Sequence, residues 1–267
     1  MDSLLNPKCF TLVRLDGHGF SRFINSCKLN KPFDEDFTNA MKETAMECFK
    51  KMDFFEFGFV GSDEITFYLP PIKSYNSIMP FAGRKDKLIS ISSGMASTVF
   101  YKKLAARIGF EKLENLVPHF DCRILQVETF AEVISNIKER VLFTIKNSRM
   151  MFAQKYLSHT VLNNMSSRDA IDLVLEKTGR EYYDDVHVDN RIGSLIVKGE
   201  NSVEKDINIK GEIKHFKFQR YIPEFHNVSP KDIECVLISS QVSLRKNFQK
   251  KSLQKKVLQK KVLQKSF

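Results

Sequence analysis

Phe10-Thr11-Leu12-Val13-Arg14-Leu15-Asp16-Gly17 reads as a short β-strand that stops at Asp16-Gly17, a turn signal. Its counterpart lies further on. Phe55 to Val60 and Ile65 to Leu69 are two strand-like runs, and Gly61-Ser62-Asp63-Glu64 between them makes a hairpin with two carboxylates at its tip. Between these pieces, Lys31-Pro32-Phe33-Asp34 reads as a helix start with Asp34 as N-cap. Phe37, Met41, Ala45, Cys48 and Met52 then recur at helical spacing. Past the hairpin, a stretch through Pro70, Pro71 and Tyr75 leads to a second helix over about 85–106, and Phe120 to Val127 reads as a strand. The order β, α, β, β, α, β is the split βαβ pattern of ferredoxin-like domains and polymerase palms, with helices on one face of an antiparallel sheet. The expected fold class is therefore α+β, with a helical region following the palm-like sheet.

That following region shows helical patterns at 131–142, 147–157 and 167–177, the last with Ser167 as its cap. Leu195-Ile196-Val197 is a short apolar run, and Glu212 to Tyr221 suits a strand. We divide the chain into residues 1–130, a palm-like catalytic domain, 131–230, a mostly helical domain, and 231–267, a basic low-complexity tail. Lys-Lys-x-Leu-Gln repeats at Lys250, Lys255 and Lys260. A five-residue step advances a helix by about 140°, so the leucines form no coiled-coil stripe.

Charge and cysteine usage narrow the class. Of the net charge of +10 over 267 residues, nine positive charges lie between Arg245 and Phe267, where no acidic residue occurs. A basic end favours polyanionic partners, although a solvated end without a partner fits as well. Cys9, Cys27, Cys48, Cys122 and Cys235 form no Cys-x-x-Cys pair, which argues against a zinc ribbon and for reduced thiols in a cytoplasmic setting. No signal or transit peptide is recognisable, and no apolar run is long enough to span a bilayer.

Three carboxylates carry the chemistry. Asp16 ends the first strand, while Asp63 and Glu64 cap the hairpin; where that strand and hairpin are neighbours, the three converge. Mg²⁺ takes oxygen ligands and needs only one or two carboxylates beside phosphate oxygens, and a pair of such ions activates a hydroxyl and stabilises a leaving phosphate. Arg84 and Lys87 are three residues apart at the start of the second helix and share a face suited to triphosphate. The Gly17-His18-Gly19-Phe20 turn offers backbone N–H groups, though Gly-x-Gly alone is a weak signal.

Arg14 to Phe23, Lys31-Pro32-Phe33-Asp34 and Gly61-Ser62-Asp63-Glu64-Ile65 resemble the tRNA-His guanylyltransferase family, and more closely its Thg1-like branch of template-directed 3′-to-5′ polymerases. The likeness runs on through Arg84, Lys87, Ser90, Phe120-Asp121-Cys122-Arg123, Lys146-Asn147-Ser148, Ala153-Gln154, Ser158-His159 and Arg191-x-Gly193. The resemblance implies two Mg²⁺ ions held by Asp16 and Asp63 with the backbone at Gly17, and Glu64 as an acidic neighbour needed for activity. It implies nucleotide contact at His18, Gly19, Phe20 and Ser62, and triphosphate contact at Arg84 and Lys87. Arg140, Lys146, Asn147, Ser148 and His159 fall in the region of a second nucleotide and the tRNA end. ATP, GTP and other nucleoside triphosphates are the implied substrates, tRNA the implied partner, and a homotetramer the implied assembly. The implied reaction activates a 5′-monophosphate end with ATP, then lets the 3′-hydroxyl of an incoming nucleotide attack it.

The chain departs from the family pattern in places. His18-Gly19 stands where many members have Arg-Asn or Arg-Ser, Phe143 where an Asp is usual, and Glu139 where a Trp is usual. Thr144-Ile145-Lys146-Asn147-Ser148 replaces the eukaryotic His-Ile-Asn-Asn, which favours 5′-end repair over dedicated G−1 addition to tRNA-His. Two other readings stay open: a different palm-type nucleotidyltransferase or cyclase, and a tRNA-binding relative with weakened catalysis.

Overall fold

The computed structural model describes residues 3–72, 77–209, 212–234 and 237, with the backbone alone over 199–223. The charged tail from Arg245 and the thiol of Cys235 lie outside the described residues. By contacts the chain groups into Met1–Val228 and Ser229–Phe267. In the second of these, the Ser229 hydroxyl bonds the Asp232 carboxylate at 2.6 Å within a short turn.

The strands are β1 (Phe10–Gly17), β2 (Phe57–Gly61), β3 (Glu64–Leu69), β4 (Phe120–Val127), β5 (Ser194–Ile209) and β6 (Glu212–His226). They form one antiparallel sheet in the order β4-β1-β3-β2-β5-β6. The first four strands in that order are the ferredoxin-like arrangement, so the expected fold class is borne out. The helices are α1 (Phe20–Ser26), α2 (Glu35–Lys51), α3 (Lys85–Ile108), α4 (Phe130–Gln154), α5 (His159–Leu162), α6 (Ser167–Thr178), α7 (Tyr182–Asp185) and α8 (Val188–Ile192).

Period-two alternation builds the two faces of the sheet. Val13, Leu15, Ile65 and Phe67 point to one face and are buried with Met41, Ala45, Cys48 and Phe49 of α2 and Leu88, Ala96, Phe100 and Leu104 of α3. Burial of the Cys48 thiol there pushes its pKa up to about 12, so it is an inert core group. The opposite face carries Tyr68 and Phe57, stacked at 4.4 Å, with Phe130 of α4 against them. Helices therefore cover both faces, where the split pattern alone predicts one.

Capping explains where the helices begin. Asp34 accepts the Phe37 N–H at 3.0 Å and so starts α2 as its sequence position suggests. Thr129 and Glu132 form a reciprocal capping box at the start of α4. The cap of α6 is Ser166, which accepts the Asp169 N–H, one residue before the expected Ser167. The two helices expected at 131–142 and 147–157 are one continuous α4; mid-helix Thr144 is buried beside Gly61 of the hairpin, its hydroxyl returned to the Arg140 carbonyl at 2.9 Å. Beyond the sheet, the last turn of α4 packs with α6 and α7 in a second small core of Phe152, Leu157, Ile171, Val174 and Tyr182. The chain then returns to the sheet as β5, which pairs with β2 from Ser194 to Val197. Among the described residues, no helix is long and apolar enough to cross a membrane.

Candidate functional site

The end of the sheet where β1 stops gathers the acidic groups. Asp16 is the direct partner of Glu64 on β3 and of Asp121 on β4, so all three side chains leave the same face of adjacent strands. Asp63 sits beside them in the hairpin turn, and its carbonyl accepts the Gly17 N–H at 3.1 Å. Ser62, the other turn residue, takes φ of 56°, a left-handed conformation that closes the turn tightly. A Cβ at Gly17 would strike the Phe20 ring, and one at Gly61 would strike Thr144 and the Phe59 ring. Both glycines are therefore required by close approach.

These carboxylates perturb one another. Burial raises the Asp16 pKa, and the charges of Asp63 and Asp121 raise it further against the pull of Arg123 and Arg14. Burial likewise raises Asp63, opposed by hydrogen bonds from its own backbone and from Ser62. Asp121, which the sequence reading left outside the site, is thus part of this acidic group. One Asp121 oxygen is buried without a hydrogen-bond partner. Among the described residues, no three His, Cys, Asp or Glu side chains are placed together as a metal cage. The donor set is instead a carboxylate pair, Asp16 and Asp63, which suits a cation that takes its other ligands from water and phosphate.

Glu64 stands apart from that pair. Its carboxylate lies 3.7 Å from Arg14 Nε and 3.4 Å from Arg140 Nη1, and it accepts the Thr66 hydroxyl at 3.1 Å. Burial raises its pKa, while the two arginines oppose the rise. Arg140 in turn lies over the Phe143 ring at 5.1 Å. Phe143, exposed on α4, thus meets the Arg140 guanidinium by its π-face. Glu64 couples the hairpin to α4 through Arg140.

The turn after β1 is split in its roles. Phe20 is a core residue, in ring contact with Phe23, Phe37, Phe100 and Phe120, so its side chain is committed to packing. Gly19, at φ 67°, is exposed with open space around it. His18 is exposed too: its N–H bonds the His119 carbonyl at 2.9 Å and its ring stacks on the His119 ring at 4.9 Å.

A cleft of about 690 Å³, counted with its open mouth, adjoins the hairpin. Asn30, Phe33, Asp34, Phe37, Thr38 and Met41 line one wall, Thr144, Asn147, Ser148 and Met151 of α4 another, and Ser62 reaches in from the hairpin tip. Lys42 and Asp189, paired at 2.8 Å, and Ser194 also line it. Past Asn30 and Phe33 lies a second, more polar cavity of about 890 Å³, where Lys31, Lys155 and Arg180 supply positive charge beside Tyr156. The structure therefore brings Ser62, Asn147 and Ser148 together. The Ser148 hydroxyl is buried, where it accepts the Tyr182 hydroxyl at 2.9 Å.

Other expected residues lie elsewhere. Ser97 of α3 accepts the Phe120 N–H at the acidic end of the sheet, and Arg84 precedes it by a helical rise of about 20 Å. Arg84 bridges Leu4 near the opposite end of the sheet and pairs with Asp86 at 3.0 Å, while Lys87 lies over the Phe81 ring. Within one chain these two cations do not face Asp16 and Asp63. Lys146 is exposed on α4, and His159 is exposed at the start of α5, beyond the sheet. The cleft walls at Asn30 and Asp189 escaped the sequence reading, because no local spacing marks residues 159 positions apart as neighbours.

Residues 1–128 match the family model described as "Thg1: tRNAHis guanylyltransferase". The chain is 34% identical over 122 residues to the tRNA(His) guanylyltransferase of Saccharomyces cerevisiae, covering 44% of this chain and 48% of that protein. It is 27% identical over 198 residues to an uncharacterized protein, R259, of Acanthamoeba polyphaga mimivirus, covering 66% of each. The chain thus spans less than two thirds of the length of these curated relatives. Among solved structures, a bacterial tRNA(His) guanylyltransferase (Thg1)-like protein in complex with ATP superposes with a TM-score of 0.72 at 21% identity, over 90% of this chain and 92% of that one. The resemblance read from the sequence is borne out.

Proposed function

We propose, from the premise that residues 1–128 are a Thg1-family segment, that the protein is a Mg²⁺-dependent nucleotidyltransferase acting on the 5′ end of tRNA in the 3′-to-5′ direction. The observation that carries this reading is the junction of the half-buried Asp16–Asp63 pair with a cleft through one short hairpin, whose Ser62 lines the cleft. The bacterial structural neighbour holds ATP, in keeping with such a use of the cleft.

Asp16 and Asp63, with the Gly17 backbone, are the residues that would hold Mg²⁺. Their raised pKa values fit the assignment, since a cation relieves the repulsion that Asp63 and Asp121 impose on Asp16. Bound there, the ion would neutralise phosphate oxygens and lower the pKa of an attacking hydroxyl. The remaining work falls to the chain. Phe33, Phe37 and Met41 bound an apolar slot for a base, with Asn30 and Asn147 available to hydrogen-bond its edge. Lys31 and Lys155, in the polar cavity next to the slot, offer positive charge to an anionic group that extends past Asn30 and Phe33. Glu64 fixes the hairpin against α4, so that Asp63 keeps its place beside the slot.

In the first transfer, the 5′-monophosphate of the RNA attacks the α-phosphate of ATP and pyrophosphate leaves. In the second, the 3′-hydroxyl of an incoming nucleoside triphosphate attacks the activated 5′ phosphate and AMP leaves. The helical segment after residue 130 serves the RNA side, and a homotetramer is the expected assembly. The test is incorporation: protein, Mg²⁺, ATP, labelled nucleoside triphosphates and tRNA lacking its first nucleotide, with Asp63→Ala in parallel. Template-matched 5′ extension that disappears in the variant supports the proposal. RNA binding without incorporation would move the protein to the class of binding relatives.

A further inference from the structure

We infer that Arg149, Tyr183 and Arg191 form a site for a backbone phosphate of an RNA strand, on the rim of the cleft. The inference rests on the RNA-directed reading above. Arg149 of α4 donates from Nη2 to the Tyr183 hydroxyl at 3.2 Å, and the Arg191 guanidinium of α8 lies over the Tyr183 ring at 5.4 Å. Tyr183 is 52% exposed, an unusual place for a large ring, yet its backbone is pinned. Its neighbour Tyr182 is buried in the small core and bonds Ser148, and its own N–H is held by the Glu181 carboxylate at 3.4 Å.

Two guanidinium groups thus share one tyrosine, and among the described residues neither is paired with a carboxylate. The acids of this segment are committed elsewhere: Asp185 to Arg180 at 3.6 Å, and Asp189 to Lys42, Ser194 and Asn227. Asp184, in the same turn, pairs with neither arginine. Both arginine Nε atoms are buried and without a partner, which tucks each guanidinium against the protein by that edge. Two like charges held together repel unless an anion joins them, and a guanidinium fork matches phosphate geometry. Arginines interleaved with an exposed aromatic ring are how proteins hold strands rather than free nucleotides. Position points the same way. Arg149 follows Ser148 and Arg191 follows Asn190, both cleft-lining, but neither arginine lines the cleft itself. The two arginines thus flank the cleft without entering it, the place for the backbone of a strand rather than for a ligand held inside.

The test uses the full chain, a 5′-monophosphorylated tRNA transcript and labelled ATP. RNA affinity is measured by fluorescence anisotropy over a range of salt, and ATP affinity by equilibrium dialysis. R149Q and R191Q are each expected to raise the RNA Kd about tenfold, while the R149Q/R191Q pair lowers the slope of log affinity against log salt by about one, as for a single shared phosphate. ATP affinity stays as in the unaltered protein. Should the glutamine pair lower the melting temperature, R149K/R191K decides. It keeps the charge but loses the fork, so weaker binding at an unchanged salt slope supports the site. Unchanged RNA affinity in both double variants overturns this inference alone. An unaltered protein that binds ATP but no tRNA overturns the RNA-directed reading together with it.

Discussion

Exchanging Glu64 for glutamine separates an anchor from a catalyst. The substitution keeps the shape of the side chain and its acceptor for Thr66, but removes the charge that Arg14 and Arg140 face. Glu64 and Arg140 are each 14% exposed and Arg14 is 25% exposed. Breaking a fully buried ion pair costs roughly 3–5 kcal/mol. Here the contacts are longer, at 3.4 and 3.7 Å, one arginine is partly wet, and burial outweighs both arginines in raising the Glu64 pKa, so removing the charge regains part of that cost and about 1–2 kcal/mol is the expected loss. At this chain length that corresponds to a fall of roughly 2–8 °C in melting temperature. Calorimetry on E64Q, R140Q and the double variant is the assay. The two single losses should sum to about 1–2 kcal/mol more than the loss in the double variant, since they remove the same contact. Turnover well below the melting point should fall but persist. A melting temperature unchanged from the unaltered protein, with turnover abolished at every temperature, would refute the anchor argument and return Glu64 to the reacting atoms.

Asp63→Asn should do the reverse: incorporation is lost while the melting temperature holds or rises, because burial and Asp16 both oppose the Asp63 charge in the folded state; incorporation at the unaltered rate would remove Asp63 from the site. Gly61→Ala pushes a methyl into Thr144 and the Phe59 ring, and overpacking of this kind destabilises by about 1–3 kcal/mol, readable in a urea melt. For Asp189, burial raises its pKa, but hydrogen bonds from Lys42, Asn227 and Ser194 outweigh that and leave it lowered. A lowered carboxylate stabilises the fold above its unfolded value and loses that contribution as pH falls through the folded value, so the Asp189 contribution should begin to fall at about pH 4 and be lost at more acid pH, through its lowered folded value. D189N should therefore flatten stability against pH in that acid range, and an identical acid limb in both proteins would contradict it.

The elements nearest the acidic end were legible because their signals are local. The strand from Phe120 to Val127, the Asp34 cap and the carboxylate-tipped hairpin each follow from short-range periodicity or turn chemistry. What the sequence could not show depends on topology. Arg84 and Lys87 are expected to share a helix face, but Arg84 is the extended N-cap of α3, and which end of the sheet the two meet is set by the direction of that helix. Glu64 looks equivalent to Asp63 in the sequence, yet alternation turns it toward α4, where Arg140 waits 76 residues downstream. Asp121 joins the acidic group only through its register with Asp16. The sequence divides residues 131–157 into two helical patterns, whereas α4 runs unbroken from Phe130 to Gln154, with Thr144 packed against the hairpin in the gap between them.

Asn227 donates to Asp189, to the Gly193 carbonyl and to Ser194, and so fastens the floor of the cleft. This has a consequence for the order in which the site comes into being during synthesis. The acidic group is complete once residue 121 has left the ribosome, but the cleft draws its walls from Asn30 to Ser194 and its fastening from Asn227. A chain emerging from the N-terminus therefore owns its carboxylates for about a hundred residues, roughly 5–20 s of elongation, before it owns a closed place to put a nucleotide.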